Sequence, residues 1–345
     1  MIRLCVLLLA AHLCSASAAW AWPLTFGAEF EFTNDALKPG PKGMLGGQEK
    51  DAALKMVEVV RELCAERGGC RMRAIPGKFG LDYRVRFPDG WWFQISYDPA
   101  CVEVQTKAAT LDELRALRGR IQEFIFDAAV KSGLQAGHAR SAGHVNVGAR
   151  SAFDDVDQFL AFFVDYANHP ELGHGITGED YSNAPPIVAL DQEQRDQLKA
   201  ILEERRQGMH GTIREAASAI ISRVYTRSLV PGWAGYHHQA MGLKKLAAVA
   251  FLFEDLPFEF RAVRGQRSLD DFLLLGELIT ARIRYVRETK DAIVFLDGPG
   301  KRLAQQEIVD RFYVYVTEMG EPWEKYAPLT RKLTPGTSPS AFIRG

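Results

Sequence analysis

The sequence has no surplus of either charge: 42 lysine and arginine residues stand against 43 aspartate and glutamate residues in 345 positions. Proteins that bind nucleic acid or an anionic membrane through their overall charge are usually basic. The balance favours neither partner, and we expect no nucleic-acid binding. The chain also lacks internal repeats and low-complexity tracts, and its 47% hydrophobic content is typical of a globular protein with a substantial core.

Cysteine is scarce, with five residues in the whole chain. Cys5 and Cys14 belong to the apolar N-terminal stretch, which leaves Cys64, Cys70 and Cys101. Three well-separated cysteines do not make a zinc site. In an oxidising compartment Cys64 and Cys70 could pair, and buried free thiols are the equally weighted alternative.

The chain has no apolar run long enough to span a bilayer comfortably. A short apolar segment at 4–13 follows Arg3 and precedes small residues, and Ala19-Trp20-Ala21 fits the small-x-small cleavage rule. This pattern predicts a signal peptide over 1–21, a secreted or periplasmic protein, and no stable membrane insertion after cleavage. An uncleaved N-terminal anchor is the alternative. Residues 22–345 are then one domain, with a helical insertion at about 154–224.

Strand-like and helix-like segments alternate along that domain. Asp82–Phe87 and Trp91–Asp98 flank a Pro-Asp-Gly turn and predict a hairpin. Helices are expected over 54–64, after the capping box that starts at Thr110, over 154–168 and 191–224, from Ser268 to about 288, and near 302–316. Hairpins and half-polar strands predict an α+β fold with a mainly antiparallel sheet.

Four of the predicted strands carry polar side chains on one face and apolar side chains on the other, because successive residues of a strand point to opposite faces. Glu29 and Glu31 share a face in the first, and Glu103 opposes two valines in the second. The other polar pairs are His144 with Asn146, and Glu259 with Arg261.

Carboxylates and one imidazole on neighbouring strands suit a divalent metal, which we expect to be Mg²⁺ or Mn²⁺. We predict Glu29, Glu31, Glu103, His144 and Glu259 as the metal ligands. Arg261 would clamp a phosphoryl group through its planar guanidinium. The competing interpretation is a half-exposed sheet whose polar face has no function.

The order of these elements carries a resemblance. The series Gly-x-Glu-x-Glu-Phe, a Val-Glu-Val strand followed by a Thr-x-x-Glu-Leu helix, Gly-His-Val-Asn-Val-Gly, and Phe-Glu-Phe-Arg resembles the amidoligase family. That family belongs to the superfamily of glutamate–cysteine ligase and glutamine synthetase. The likeness runs from about Leu24 to about Glu288. It implies a curved antiparallel sheet that forms a half-funnel backed by helices. It also implies an ATP-dependent ligase that joins a small-molecule or peptide carboxylate to an amine through an acyl phosphate.

The resemblance also implies roles for single residues. Glu29 and Glu31 look like ligands of different metal ions, with Glu103, His144 and Glu259 as further ligands and Glu259 and Arg261 as catalytic residues. Asn146 stands where family members often have a second histidine, and it could contact the nucleotide. Arg264 and Arg267 are predicted as further phosphate contacts.

The predicted signal peptide conflicts with an ATP-dependent activity, because ATP is scarce outside the cytoplasm. An exported metal-dependent hydrolase is therefore an alternative, with Asp98, His237 or His238 as its general base. A non-catalytic ligand-binding relative is another. Arg84 and Arg86 could hold a substrate carboxylate, although a solvated strand face is the better supported interpretation.

Overall fold

The computed structural model describes residues 23–38, 40, 45–138, 141–172, 191–226, 239–247, 255–296 and 303–330. The predicted signal peptide therefore lies outside the described residues, and so do His237 and His238. Among the residues that are described, no helix combines the length and the apolar character needed to cross a membrane.

In the described part of the chain, nine strands form one open sheet in which every pairing is antiparallel, and the sequence predicted a mainly antiparallel sheet. The strand order is β2-β3-β4-β5-β1-β7-β9-β8, with β6 paired to one end of β1. The strands are β1 Phe26–Thr33, β2 Arg71–Gly77, β3 Gly80–Arg86, β4 Trp92–Asp98, β5 Cys101–Thr106, β6 Gln135–Ala136, β7 Ala142–Gly148, β8 Met241–Gly242 and β9 Pro257–Arg264.

The helices follow the predicted positions closely. They are α1 Glu49–Arg67, α2 Leu111–Ala116, α3 Arg118–Ile121, α4 Ala128–Lys131, α5 Ala149–Ala152, α6 Val156–Asn168, α7 Gln192–Arg206, α8 Ile213–Ala219, α9 Lys244–Ala247, α10 Leu269–Thr289, α11 Gln305–Glu318 and α12 Trp323–Tyr326. Two π-helical segments, Gln122–Asp127 and Ile220–Val224, continue α3 and α8, and short 3₁₀ turns lie at Lys290–Ala292 and Ala327–Thr330.

Capping side chains set several of these helix starts. The Thr110 hydroxyl accepts from the Glu113 amide while the Glu113 carboxylate accepts from the Thr110 amide, which is the predicted capping box. The Ser268 hydroxyl accepts from the Asp271 amide at the start of α10. The predicted helix over 191–224 is divided into α7 and α8, because Gly208 with its φ of +91° interrupts it.

The apolar face of the sheet packs against helices and forms the core. Phe30 of β1 contacts Phe126 and Phe272 with ring centroids 5.0 and 5.7 Å apart. Phe258 of β9 contacts Phe153 and Phe162 at 5.6 and 5.7 Å. Burial of such rings is the main stabilising contribution to a sheet covered on one side. Helices α6 and α10 and the π-helical segment Gln122–Asp127 therefore lie on the apolar face, and the polar side chains share the opposite face.

The cysteines fall into one bonded pair and one thiol. Cys64 near the end of α1 is disulfide-bonded to Cys70 just before β2. These two cysteines are therefore paired and are not buried free thiols. Cys101 is a buried free thiol, and burial raises the pKa of that thiol well above its usual range. It is therefore unreactive as a thiolate.

Candidate metal centre

The strand register places Glu29 beside His144. Glu29 of β1 lies directly opposite His144 of β7, and directly opposed residues project from the same face. The Glu29 carboxylate is hydrogen-bonded to His144 Nδ1. Two residues that are 115 positions apart in sequence are thus held together by one strand pairing.

Glu259 joins them from the next strand. Glu259 of β9 lies opposite Asn146 of β7, and its Oε1 is 3.7 Å from His144 Nδ1. One ligand atom from each of Glu29, His144 and Glu259 lies within 4.8 Å of the others. Gly242 of β8 lies opposite Glu259, and a Cβ at that position would come within 3.0 Å of Glu259 Oε2. The glycine therefore leaves space for the carboxylate.

Two cations border this group. Arg261 Nη1 donates to Glu259 Oε2 at 2.7 Å. Lys245 Nζ donates to Asn146 Oδ1 at 2.8 Å and lies 3.4 Å from Glu259 Oε1. Glu259 is therefore held between an arginine of its own strand and a lysine of α9, which places both cations where an anionic ligand could reach them.

The three residues of the group are buried, although they lie on the polar face of the sheet. Glu29 is 5% exposed, and His144 and Glu259 are each 8% exposed. Buried charges persist when they are paired and hydrogen-bonded. Substitution of a ligand will consequently change stability as well as binding, because the remaining charges lose a partner.

Burial and pairing act in opposite directions on the pKa values here. Burial disfavours the carboxylate of Glu29, but the charge of His144 and the hydrogen bond to it lower the pKa of Glu29 to about 2. Burial disfavours the imidazolium of His144, and the charge of Glu29 and their hydrogen bond raise the pKa of His144 to about 9. At neutral pH the metal-free group is therefore an ion pair.

Glu103 adjoins the group without entering it. The Gln105 amide donates to Glu103 Oε1 at 2.5 Å and to Glu29 Oε2 at 3.5 Å, so one side chain links the two carboxylates. Burial and then the charge of Glu29 raise the pKa of Glu103 well above its usual range. A cation bound beside both carboxylates would remove that repulsion.

The Glu31 carboxylate contacts the backbone of β7. It lies opposite Glu103 in the register, and its Oε2 accepts from the Ala142 amide at 2.7 Å. Of the five predicted metal ligands, Glu29, His144 and Glu259 have ligand atoms within 4.8 Å of one another, whereas Glu103 and Glu31 lie outside that group on the same face of the sheet.

The remaining predicted contacts are more scattered. Arg264 lies opposite Ala142 near the end of β9. Arg267 follows the strand and is paired with Asp271 in the first turn of α10, at 3.0 Å. Asp98 is paired with Lys78, also at 3.0 Å. None of these contacts joins Arg267 or Asp98 to the Glu29–His144–Glu259 group.

An open pocket lies directly beside the group. It has a volume of about 580 Å³, including the part open to solvent. Its walls include Glu29, Gln105 and Asn146 from the sheet, Trp92 from β4, and Lys245. The carboxylate, amide and ammonium groups in these walls suit a small polar ligand.

Sequence reasoning missed Lys245. No strand alternation marks this residue, because it lies on the four-residue helix α9 that follows β8. The available signal was the Lys244-Lys245 pair shortly upstream of the Phe258–Arg261 strand, and that signal does not indicate which lysine faces the site.

The donor set fits a divalent cation. Two carboxylates and one imidazole are ligands that Mn²⁺ accepts readily, and Mg²⁺ accepts the carboxylates. The carboxylate oxygens of Glu29 and Glu259 that would bind a cation already accept hydrogen bonds. A bound cation would therefore replace the proton on His144 and compete with Lys245 and Arg261 for these oxygens.

No family model matches the chain, and no curated protein matches its sequence.

Proposed function

We propose that this protein is a metal- and ATP-dependent carboxylate–amine ligase, with Mg²⁺ or Mn²⁺ as the metal. The observation that carries the proposal is the convergence of Glu29, His144 and Glu259 within 4.8 Å on the polar face of the sheet. Arg261 and Lys245 border that group, and an open pocket adjoins it. Phosphoryl-transfer enzymes use carboxylates to bind metal ions and cationic side chains to bind phosphate.

The residues divide into two roles under this proposal. Glu29, His144 and Glu259 would hold the metal, and Glu103 and Glu31 could serve a further cation. When bound, the metal would neutralise phosphate charge and polarise a phosphoryl oxygen. Arg261 and Lys245 would bind the transferred phosphoryl group, and Asn146 would orient Lys245 through its 2.8 Å hydrogen bond.

The chemistry then has two steps. A substrate carboxylate oxygen attacks the terminal phosphorus of ATP, which gives an acyl phosphate and ADP. The nitrogen of an amine next attacks the acyl carbon, loses its proton and expels phosphate, which gives the amide. The protein's contribution is to position both anions against its cations.

The resemblance to the amidoligase family supports the same proposal, and the finer fold description belongs with it. We propose that the antiparallel sheet is curved into the half-funnel of the glutamine synthetase superfamily. The all-antiparallel pairing and the helices on one face are compatible with that architecture.

Calorimetric titration of the purified chain with ATP, with and without Mg²⁺, tests the proposal. We expect binding that depends on Mg²⁺ and that weakens by about tenfold or more in Arg261→Gln, the range for loss of a charge-assisted hydrogen bond. Arg206→Gln is the matched control, because Arg206 on α7 is exposed and pairs with Glu203 of its own helix.

Two results would contradict the ligase. Metal binding without any ATP binding would favour the exported hydrolase or the ligand-binding relative, and an assay of amide and phosphate-ester hydrolysis would separate those two. Absence of both metal and ATP binding would make the Glu29–His144–Glu259 group a structural ion network.

A further inference from the structure

Four arginines lie on one face of the β2–β3 hairpin, in an arrangement that by itself would destabilise the strand pairing. Arg71 lies directly opposite Arg86, and Arg73 lies directly opposite Arg84. Like charges that face each other across a strand pair destabilise a sheet. We call these four residues the arginine patch.

Ion pairs in the described part of the chain do not neutralise the patch. Among the described residues none forms an ion pair with Arg71, Arg73, Arg84 or Arg86 within 4.0 Å. The acidic residue on the same face of β3 is Asp82, and its carboxylate accepts from Gln94 at 2.7 Å. Two cross-strand arginine pairs without counterions indicate a surface that an external anion completes.

Two side chains of the neighbouring strand β4 hold Arg84 in place. Its Nη2 donates to Gln94 Oε1 at 2.9 Å, and its guanidinium lies 4.4 Å from the ring centroid of Trp92. Its Nε is buried and has no hydrogen-bond partner. A buried donor without a partner is costly, and such a group in a native protein calls for a ligand or water.

The register connects the patch to the candidate metal centre. Arg73, Arg84, Gln94, Gln105, Glu29 and His144 are successive directly opposed residues on β2, β3, β4, β5, β1 and β7. They therefore lie on one face of the sheet. Three strand spacings separate Arg84 from Glu29, which is about 14 Å.

We infer that the arginine patch binds the acidic side chains of a peptide whose reacting carboxylate lies at the Glu29–His144–Glu259 group. The position of the reacting carboxylate rests on the proposed function, whereas the anion site rests on the patch alone. A span of about 14 Å corresponds to roughly four extended residues. The substrate class is thus an acidic peptide of about four residues or longer.

The observations favour an acidic peptide over a nucleic acid. The patch occupies one hairpin, whereas the continuous phosphate backbone of a nucleic acid is usually bound by an extended basic surface. The chain as a whole has a net charge of −1. Two glutamine side chains, Gln94 and Gln105, lie between the patch and the metal centre, where a peptide backbone would offer amide partners.

Fluorescence anisotropy with a fluorescein-labelled tetraglutamate tests the inference, with the full chain in a Mg²⁺-containing buffer. We expect tetraglutamate to bind more tightly than labelled glutamate and its affinity to fall as salt is added. The double variant Arg71→Gln/Arg73→Gln should weaken tetraglutamate binding by about tenfold or more. Both residues are exposed on the edge strand β2, so this variant leaves the core intact.

The matched control is Arg61→Gln/Arg206→Gln, which removes two exposed arginines from α1 and α7. It should leave tetraglutamate binding unchanged. Equal weakening in both double variants would overturn the inference. So would the absence of tetraglutamate binding, or equal competition by a DNA oligonucleotide that carries the same charge.

This experiment can fail independently of the ligase proposal, because neither variant touches the residues assigned to ATP. Mg²⁺-dependent ATP binding without tetraglutamate binding would overturn the acidic-peptide site alone. Tetraglutamate binding that requires the patch, in a chain that does not bind ATP, would support the site and contradict the ligase.

Discussion

Lys245 brings a mobile ammonium group to the edge of the candidate metal centre. Its Nζ has two oxygen partners there, Asn146 Oδ1 and Glu259 Oε1, and its side chain is 49% exposed. An exposed lysine can change its contacts without repacking the core, because its flexible stem carries a compact charge. Lys245 can therefore direct its ammonium group to a phosphate that binds in the adjoining pocket.

We expect Lys245→Met to weaken Mg²⁺-dependent ATP binding by about tenfold or more, because one charge-assisted hydrogen bond to phosphate is lost. Methionine keeps most of the side chain's apolar contacts. Calorimetric titration with ATP measures the change, and titration with Mn²⁺ alone should show metal binding retained.

Lys244→Met is the control for that experiment. Lys244 is the exposed neighbour on the same helix α9, and it carries the same charge. If both variants weaken ATP binding equally, the effect comes from the general charge of the helix, and Lys245 has no specific contact with phosphate.

At the scale of the elements, a buried ion pair joins helices α6 and α10 beneath the sheet. Arg282 Nε donates to Asp165 Oδ2 at 2.7 Å, and Arg282 Nη2 donates to Asp165 Oδ1 and to His169 Nε2. The guanidinium also lies 4.1 Å from the ring centroid of Tyr315 on α11. One arginine of α10 thus contacts side chains of two other helices, α6 and α11.

Asp165→Asn should destabilise the protein by about 3 kcal/mol, because the buried charge of Arg282 loses its closest counterion and keeps only Glu318, 3.5 Å away. Urea unfolding followed by circular dichroism measures the change in the free energy of unfolding. Asp112→Asn, which breaks the exposed pair with Arg115 on α2, should have little effect. A similar small effect for Asp165→Asn would show that the helices are held by apolar contacts alone.

Much of the sheet was predictable because residue alternation in a strand is a local property. Glu29 and His144 were assigned to the polar faces of their strands from neighbouring residues alone, and the pairing of β1 with β7 then brings them together. The capping box at Thr110 and the cap at Ser268 likewise depend on residues within one turn.

The long-range details were not predictable from the same patterns. The register of β7 with β9 shifts between Gly143 and Val145, and local alternation does not reveal such a bulge. The burial of Glu29 depends on what surrounds the polar face, and the place of Lys245 depends on the turn from β8 into α9. These are tertiary effects, which single-strand patterns do not contain.

At the scale of the whole molecule, the two faces of the sheet have different roles: one packs against helices, and the other carries the candidate functional side chains. Its apolar face is covered by helices, so the rings of Phe30 and Phe258 contribute the stability. Its polar face has carboxylates at the centre and arginines toward the β2 edge. This separation means that ligands on the polar face can shift the folding equilibrium without altering the core.

Mn²⁺ should therefore stabilise the whole chain against thermal unfolding. A ligand that binds the folded state and not the unfolded state adds RT ln(1 + [L]/Kd), which is about 2.7 kcal/mol when the free metal is 100-fold above Kd. We expect the melting temperature to rise with Mn²⁺ concentration, and excess EDTA should reverse the rise. Glu259→Gln should abolish the rise, because the variant removes one of three converging ligands.

The control for the metal experiment is His210→Gln. His210 is a histidine paired with Glu204 at 2.9 Å, so it shares the residue type and an acidic partner but lies outside the Glu29–His144–Glu259 group. Its variant should keep the full Mn²⁺-induced rise in melting temperature. A rise that persists in Glu259→Gln but is lost in His210→Gln would move the metal site away from the sheet. In that case the buried ion pair of Glu29 and His144 would be a packing feature, since paired charges persist in protein interiors without any cation.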